Sequence, residues 1–378
     1  MEMSRSAVAM WTASCLAMGG CTAIVGVDEP YHLADGGGGA AGGSGGGGGG
    51  GEPCTPHQVR CREDRPQTCD ENGRWQDEAE CPEEAPLCHD GGCTVPRSCA
   101  DMDAICGPRG DESCCASLVV PGGTFDRGDA EPRLATVSDF RLDRFEVTVG
   151  RFRAFVSEYP AAWPVVGAGA HPKIPDSGWR AEWDDKMPVD RDALMAWTHC
   201  EDPYHSWTDE VGDYELLPVT CVSWFVAFAF CAWDGGRLPT AAERHYAAAG
   251  GDEQRQYPWS TADSAAEPDE SYAVYGCGLD GSCEIADLQP GGSRSPRGDG
   301  RWGQADLGGN VWEWVLDSFA EDLPLECEDC TVLTPDANHM IWGGGWRSEK
   351  ETLLTSAFEE RSPGGEFAGT GFRCARAP

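Results

Sequence analysis

Lysine and arginine are scarce in this chain. Only 28 of them face 64 aspartates and glutamates among 378 residues, giving a formal charge of −36 and a pI near 4.4. That shortage excludes nucleic acid as a partner, because proteins that grip a phosphate backbone concentrate Lys and Arg to displace its counterions. Anionic lipid surfaces are excluded with it. The acid excess reads first as a solvated, soluble surface and second as a means of holding cations. The apolar run near the N-terminus, Ala7 to Met18, is too short for a spanning helix. A third shortage is local: the chain has 20 cysteines, yet none between Cys330 and Cys374. The stretch GGGWRSEKETLLTSAFEER, residues 343–361, therefore offers no thiolate to any metal.

Elsewhere cysteine is abundant, and 20 thiols would be a liability in a reducing cytosol. Either they bind metal or the chain matures where disulfides persist. The N-terminus favours export: MEMSRSAVAMWTASCLAMGGC carries one Arg, then the apolar run, then Gly19, Gly20 and Cys21, small residues placed for cleavage. A cysteine after two glycines is similar to a bacterial lipobox, which makes Cys21 the expected lipidation site and the chain an outer-membrane or cell-surface lipoprotein. Met18 stands where that motif usually has Leu, so simple secretion is the alternative. Loss of Cys15 with the signal and of Cys21 to lipid leaves eighteen cysteines, an even number that suits disulfides.

Four parts follow from the texture of the chain: a signal peptide with lipobox (1–21), a glycine-rich flexible linker (22–53), a Cys-rich disulfide module with its connection (54–119), and a larger domain (120–378). The run GGGGAAGGSGGGGGGG at 36–51 has no side chain able to hold a fold; its ends should lie roughly 20–25 Å apart. It is either a spacer or an unselected insertion. Cys54, Cys61, Cys69, Cys81, Cys88 and Cys93 fall within forty residues that bury too little to fold unaided, so they read as staples. Their pairing stays open, and zinc is the weaker reading, since no CxxC occurs among them. Further on, VTVGRFRAFVSEY offers a helix capped by Thr148, and VSWFVAFAFCAWDGG one capped by Ser223 and stopped at Gly235. RLPTAAERHYAAAGG carries a capping box, Thr240 with Glu243. The rest reads as short strands and long loops that need pinning by disulfides or ions.

Several stretches stand in a fixed order: GGTFDRG at 122, FEVTVGRFRAFV at 145, PVTCVSWFVAFAFCAWDGGRLPTAAE at 218–243, YPWS at 257, ADLGGNVWEWVLD at 305, IWGGGW at 341 and GFRCAR at 371. Together they resemble the formylglycine-generating enzyme family, also called sulfatase-modifying factors, over about residues 120–378. The resemblance implies an α+β fold of that family, C-type-lectin-like and low in regular secondary structure, preceded by the small disulfide-rich module. It also implies an oxidase that converts a sulfatase cysteine into formylglycine with O2 and a copper ion held by two thiolates. Soft sulfur selects Cu(I). In the family that cysteine pair follows the GGSY-type strand five residues apart, and counting from GGGW places Ser348 and Leu353 there. The serine of GGS is Gly345, and the histidine beside the first cysteine is Glu349. Copper is therefore not expected as a cofactor, and no catalytic residue is assigned.

The resemblance further implies a calcium site in ADLGGNVWEW, from the carboxylates of Asp306 and Glu313 and the carbonyls of Gly309 and Val311. The competing reading makes Trp312 and Trp314 core and Glu313 a capping or pairing group. A second family calcium site loses its Asn at Ala273. The resemblance also implies a disulfide between Cys231 and Cys374. Iron held by His199 and His205 in HCEDPYH competes with a loop bearing ordinary surface histidines. The expected role is a non-catalytic domain that binds a peptide, glycan or cell-envelope partner, touching the membrane only through the lipid. The alternative is a superfamily oxidoreductase with altered metal chemistry.

Overall fold

A computed structural model describes residues 54–378, apart from 63–64, 90, 104, 129–130, 202, 262–265, 278–282 and 321–323. The expected signal peptide, the lipidation site Cys21 and the glycine run at 36–51 lie outside these residues.

Between Cys54 and Thr94 cysteine does the work of a core. Strands β1 (Val59–Arg62), β2 (Arg65–Cys69) and β3 (Trp75–Asp77) form an antiparallel sheet, and β4 (Leu87–His89) pairs with β5 (Gly92–Thr94). Bridges Cys54–Cys69, Cys61–Cys88 and Cys81–Cys93 staple them. The turn between β2 and β3 follows from Asp70, whose Oδ1 accepts the Asn72 and Arg74 N–H groups at 2.9 Å; a short side chain that folds back on its own backbone favours a turn over an extended strand. Cys99–Cys115 and Cys106–Cys114 close the connection, so the vicinal cysteines take separate partners.

The boundary drawn from sequence at 119/120 falls inside β6 (Ser117–Val120), which pairs with β9 (Phe140–Asp143). Strands β7 (Gly123–Asp126) and β8 (Leu134–Val137) form a hairpin joined by β11 (Glu326–Glu328), and β15 (Ala375–Arg376) closes the β6–β9 sheet. The one four-stranded sheet among the described residues is β13-β12-β10-β14, built from Phe358–Arg361, His339–Trp342, Trp312–Ser318 and Thr370–Gly371. Short strands and long loops dominate the rest.

Among the described residues four α-helices complete the domain: α1 (Val149–Glu158), α2 (Arg191–Trp197), α3 (Trp224–Trp233) and α4 (Ala241–Ala249). The caps read from sequence are in place, with Thr148 accepting from Arg151 N, Ser223 from Val226 N, and Thr240 with Glu243 forming a reciprocal box. Helix α2, capped by Asp190, carries only one buried side chain, Leu194, so its apolar period is too faint to announce it. Helix α3 is apolar on every side and buried on every side except at Ala232, which makes it the axis of the core rather than an amphipathic surface helix. Among the described residues no helix is long and apolar enough to cross a membrane.

The bridge Cys231–Cys374 ties α3 to the last strand segment across 143 residues. Beside it lies a buried ionic quartet. Arg151 of α1 contacts Asp143 and Asp234 at 3.0 and 2.8 Å, and Arg376 contacts the same two carboxylates at 3.2 and 3.0 Å, all four side chains without exposure. Two positive and two negative charges leave the set neutral, as burial demands. The N-terminal connection plugs into it: Ser98 N donates to Asp234 Oδ1 at 2.8 Å and Arg151 Nε donates to Ser98 Oγ at 3.0 Å. The remaining bridges, Cys200–Cys221, Cys277–Cys283 and Cys327–Cys330, pin loops.

Candidate functional site

Strand β12 ends at Trp342, and the chain turns through Gly343 and Gly344 with φ of +100° and +72°. A Cβ on Gly344 would stand 2.6 Å from Thr352 Oγ1 and 2.9 Å from Leu353 Cδ2. Only glycine lets this turn close over the short helical turn Lys350–Leu353. The geometry brings residues 345–353 into one compact loop, where the two degenerate copper positions have different environments.

Ser348 is half-buried, and its Oγ accepts the indole N–H of Trp312 and the backbone N–H of Gly345, both at 3.0 Å. The hydroxyl is a structural staple. Leu353 is 1% exposed and packs with Tyr257, Trp259 and Ala273. Its isobutyl group fills the space from which a second soft ligand would have to reach. Glu349 is exposed, and Gly345 sits with its Cβ direction 3.3 Å from Trp312 N. A hydroxyl engaged twice and a buried hydrocarbon cannot hold Cu(I).

Sulfur does come near. Cys277 N donates to Trp346 O at 3.0 Å and Gly276 N to Ser348 O at 2.9 Å, which seats the Cys277–Cys283 bridge beside this loop. With Asp287 these two residues form the one cluster of three metal-ligating groups among the described residues. The two sulfurs are bonded to each other, so neither is a thiolate here.

In the expected calcium set, both carboxylates are engaged by other groups of the chain. Glu313 is fully buried on β10, with Oε2 accepting from Arg244 Nε at 2.8 Å and Arg373 Nε at 2.9 Å, and Oε1 from Arg373 Nη2 at 2.8 Å. Burial pushes its pKa up, but the two guanidinium charges outweigh burial and hold the carboxyl below its usual range. Glu313 is thus paired with two arginines, as the alternative reading of this acid expects. Asp306, in left-handed backbone at φ +54°, accepts Gly292 N on Oδ2 at 2.6 Å. Gly309 N donates to Gly343 O, and Val311 N to Glu146 Oε1. Glu146 is another buried acid near Asp306, and it also accepts from Asn310 Nδ2 at 2.9 Å. Burial first, then the charge of Asp306, raises Glu146 well above the usual carboxylate range. Burial likewise lifts Asp306 to about 6, against the Gly292 hydrogen bond.

Sequence reasoning missed Glu146 and Arg244. Glu146 lies in FEVTVG, where the helix cap drew attention, and Arg244 occupies a helix position that pattern alone reads as surface. His199 and His205 do come together, with ring centroids 4.7 Å apart. The Nδ1 of each sits at 2.9–3.0 Å from a backbone carbonyl, Met195 O and Trp207 O, and His199 Nε2 lies 3.7 Å from Asp209. No third metal-ligating side chain meets them closely enough among the described residues.

Comparison with known proteins agrees with this architecture. The Sulfatase-modifying factor enzyme 1-like domain matches residues 104–378. A formylglycine-generating enzyme of Thermomonospora curvata is 29% identical over 302 residues, covering 69% of this chain and 93% of its own length. An inactive Cα-formylglycine-generating enzyme 2 of Bos taurus is 28% identical over 282 residues, covering 68% and 86%. Among solved structures, PvdO from Pseudomonas aeruginosa aligns over 69% of this chain and 94% of its own, with 21% identity and a TM-score of 0.48. The chain belongs to the sulfatase-modifying factor family and carries its α+β fold.

Proposed function

We propose that this family member is a non-catalytic binding domain, exported and held at the cell envelope through lipid on Cys21, with secretion as the alternative. Its partner is a peptide, glycan or envelope component. One observation carries the reading: the two positions that would hold copper are a serine stapled by Trp312 and Gly345 and a leucine packed against Tyr257 and Trp259. Hydroxyl and hydrocarbon supply neither the charge nor the softness that Cu(I) requires. The similarity to a relative whose name calls it inactive supports the same reading.

A superfamily oxidoreductase with altered metal chemistry is the competing reading, and Cu(I) titration against a chromogenic chelator separates the two. The binding reading expects no tight Cu(I) uptake by the purified, oxidised chain. Uptake of one equivalent would favour the oxidoreductase. Mass spectrometry of the mature N-terminus tests the anchor, the expected result being diacylglycerol on Cys21.

Calcium is proposed at Asp306 with the carbonyls of Gly309 and Val311, and with Glu146 as a further acid because Arg244 and Arg373 engage Glu313. Hard cations take carboxylate and carbonyl oxygens, and a bound cation would favour the ionised form of these two acids, which burial disfavours. Millimolar calcium should then raise Tm in the wild type and not in Asp306→Ala; equal Tm with calcium and with chelator in the wild type would refute the site.

A further inference from the structure

A cavity of about 520 Å³ is lined by the 3₁₀ helix Ala181–Lys186, the 333–339 loop and the 362–364 turn, and takes no residue from the 345–353 loop. A 3₁₀ helix repeats every three residues, so side chains three apart stand in line. Arg180, which caps this helix, Trp183 and Lys186 fall on that line, and all three line the cavity. The Arg180 guanidinium lies 5.4 Å from the centre of the Trp183 ring, as such a row requires. Lys186 is exposed, and Arg180 and Trp183 are half-buried, so each keeps surface to offer. Trp183 also meets Trp224 and Phe228 of α3 in T-shaped contacts at 5.1 and 5.4 Å, which fix its ring against the core. Two acids, Glu182 and Asp336, line the same cavity, so its ionised groups balance. None of these four charged side chains joins an ion pair among the described residues.

We infer that this cavity binds a neutral saccharide, with one pyranose ring stacked on Trp183 and its hydroxyls held by the charged groups of the lining. The apolar C–H face of a pyranose needs a flat, rigid, partly exposed ring, which the braced indole supplies. A sugar hydroxyl both donates and accepts, so it is matched by donors and acceptors in equal supply. Arg180 and Lys186 only donate, and ionised Glu182 and Asp336 only accept. Asn338, whose amide donates to Glu360 at 3.2 Å, keeps its carbonyl as a further acceptor. A simple ion finds no net charge in such a lining, and a polyanion is repelled by a chain of charge −36. A peptide that adds a strand is disfavoured too. Pro335 and Pro363 interrupt the two loops of the lining, and turns closed by Ala337 N to Thr334 O and Gly365 N to Ser362 O leave no strand edge there to extend. The volume falls within the range of small-molecule sites. The inference rests on the binding reading above and names one partner class and its place.

Ligand-observed saturation-transfer NMR on the full chain tests the assignment. The probes are maltotriose, cellotriose, mannotriose and chitotriose at millimolar concentration, with trigalacturonate and tetraalanine as acidic-sugar and peptide controls. At least one neutral trisaccharide should give saturation transfer and bind more tightly than both controls. Trp183→Ala should weaken it at least about tenfold, as loss of the stacking ring requires. Lys186→Ala and Glu182→Ala, both at exposed positions, should each weaken it about threefold, and they decide the matter if Trp183→Ala does not fold. Absence of transfer from all four trisaccharides, transfer from the controls alone, or unchanged binding in the folded variants would each overturn the inference. Formylglycine production by the wild type would strike the non-catalytic reading instead and leave this result standing, so the two failures are distinct.

Discussion

Leu353 shows how much a single side chain settles. At the position where a second copper thiolate is expected, the protein buries a hydrocarbon against two aromatic rings, so the site has been rebuilt as core. Leu353→Ala should cost about 2–4 kcal/mol, the transfer term plus a cavity. Urea denaturation checks it, and a loss below ~1 kcal/mol would show that the loop collapses or is loosely packed. His339 gives a second residue-scale test. Burial drives its pKa from the ordinary 6.5 down to about 3, so the folded protein keeps the ring neutral where the unfolded chain protonates it. The sign follows: stability is complete above pH 6.5 and is lost as pH falls from there toward 3. At pH 5 the wild type should have lost ~2 kcal/mol relative to His339→Gln, compared with their difference at pH 7. Parallel pH profiles for the two proteins would contradict the buried neutral ring.

The absence of cysteine between Cys330 and Cys374 was legible from the chain alone, and so was the identity of the residues standing in its place. The fate of Glu313 was not. Its partners sit 69 and 60 residues away on α4 and near β15, and nothing in GNVWEW announces that two arginines converge there. Burial is set by tertiary packing, and a carboxylate reads the same in sequence whether it meets calcium or guanidinium.

At the scale of elements, caps and glycine stops were readable because they depend on neighbours three or four residues apart. Helix α2 was not, since one buried leucine in seven residues makes no periodic signal. The extent of β6 was hidden too, because its pairing with β9 is a contact between segments and not a local preference. The Cys231–Cys374 bridge is the longest covalent tie between elements. Replacing both cysteines by alanine should remove up to about 5 kcal/mol in the chain-entropy account, seen as a fall in Tm on the order of 10 °C. An unchanged Tm would mean that packing of α3 alone holds the last strand. The ionic quartet makes a sharper contrast. Arg151→Met leaves Asp143 and Asp234 short of one buried cation and should cost about 3–5 kcal/mol. Arg153→Met, which breaks the partly exposed pair with Glu215, should cost no more than about 1 kcal/mol. Equal losses in the two variants would show that burial is not what gives the quartet its weight.

For the whole molecule, nine bridges among the described residues accompany the family fold and suit the proposed export, since disulfides persist in oxidising compartments. The disulfide module is not a loose appendage. Arg141 Nη2 donates to Cys81 O at 2.5 Å, and Ser117 N donates to Glu83 O at 3.1 Å, so the stapled segment and the larger domain share an interface. What such a body does depends on whether the family's chemistry survives the change at residues 348 and 353. The direct measurement is mass spectrometry of a sulfatase-type Cys-x-Pro-x-Arg peptide after incubation with the full chain, Cu(I) and O2, beside a Ser348→Cys, Leu353→Cys double variant. The account predicts that the peptide's cysteine is recovered unconverted from the wild-type reaction. Appearance of formylglycine there would contradict the non-catalytic reading and place an oxidising centre elsewhere in the domain.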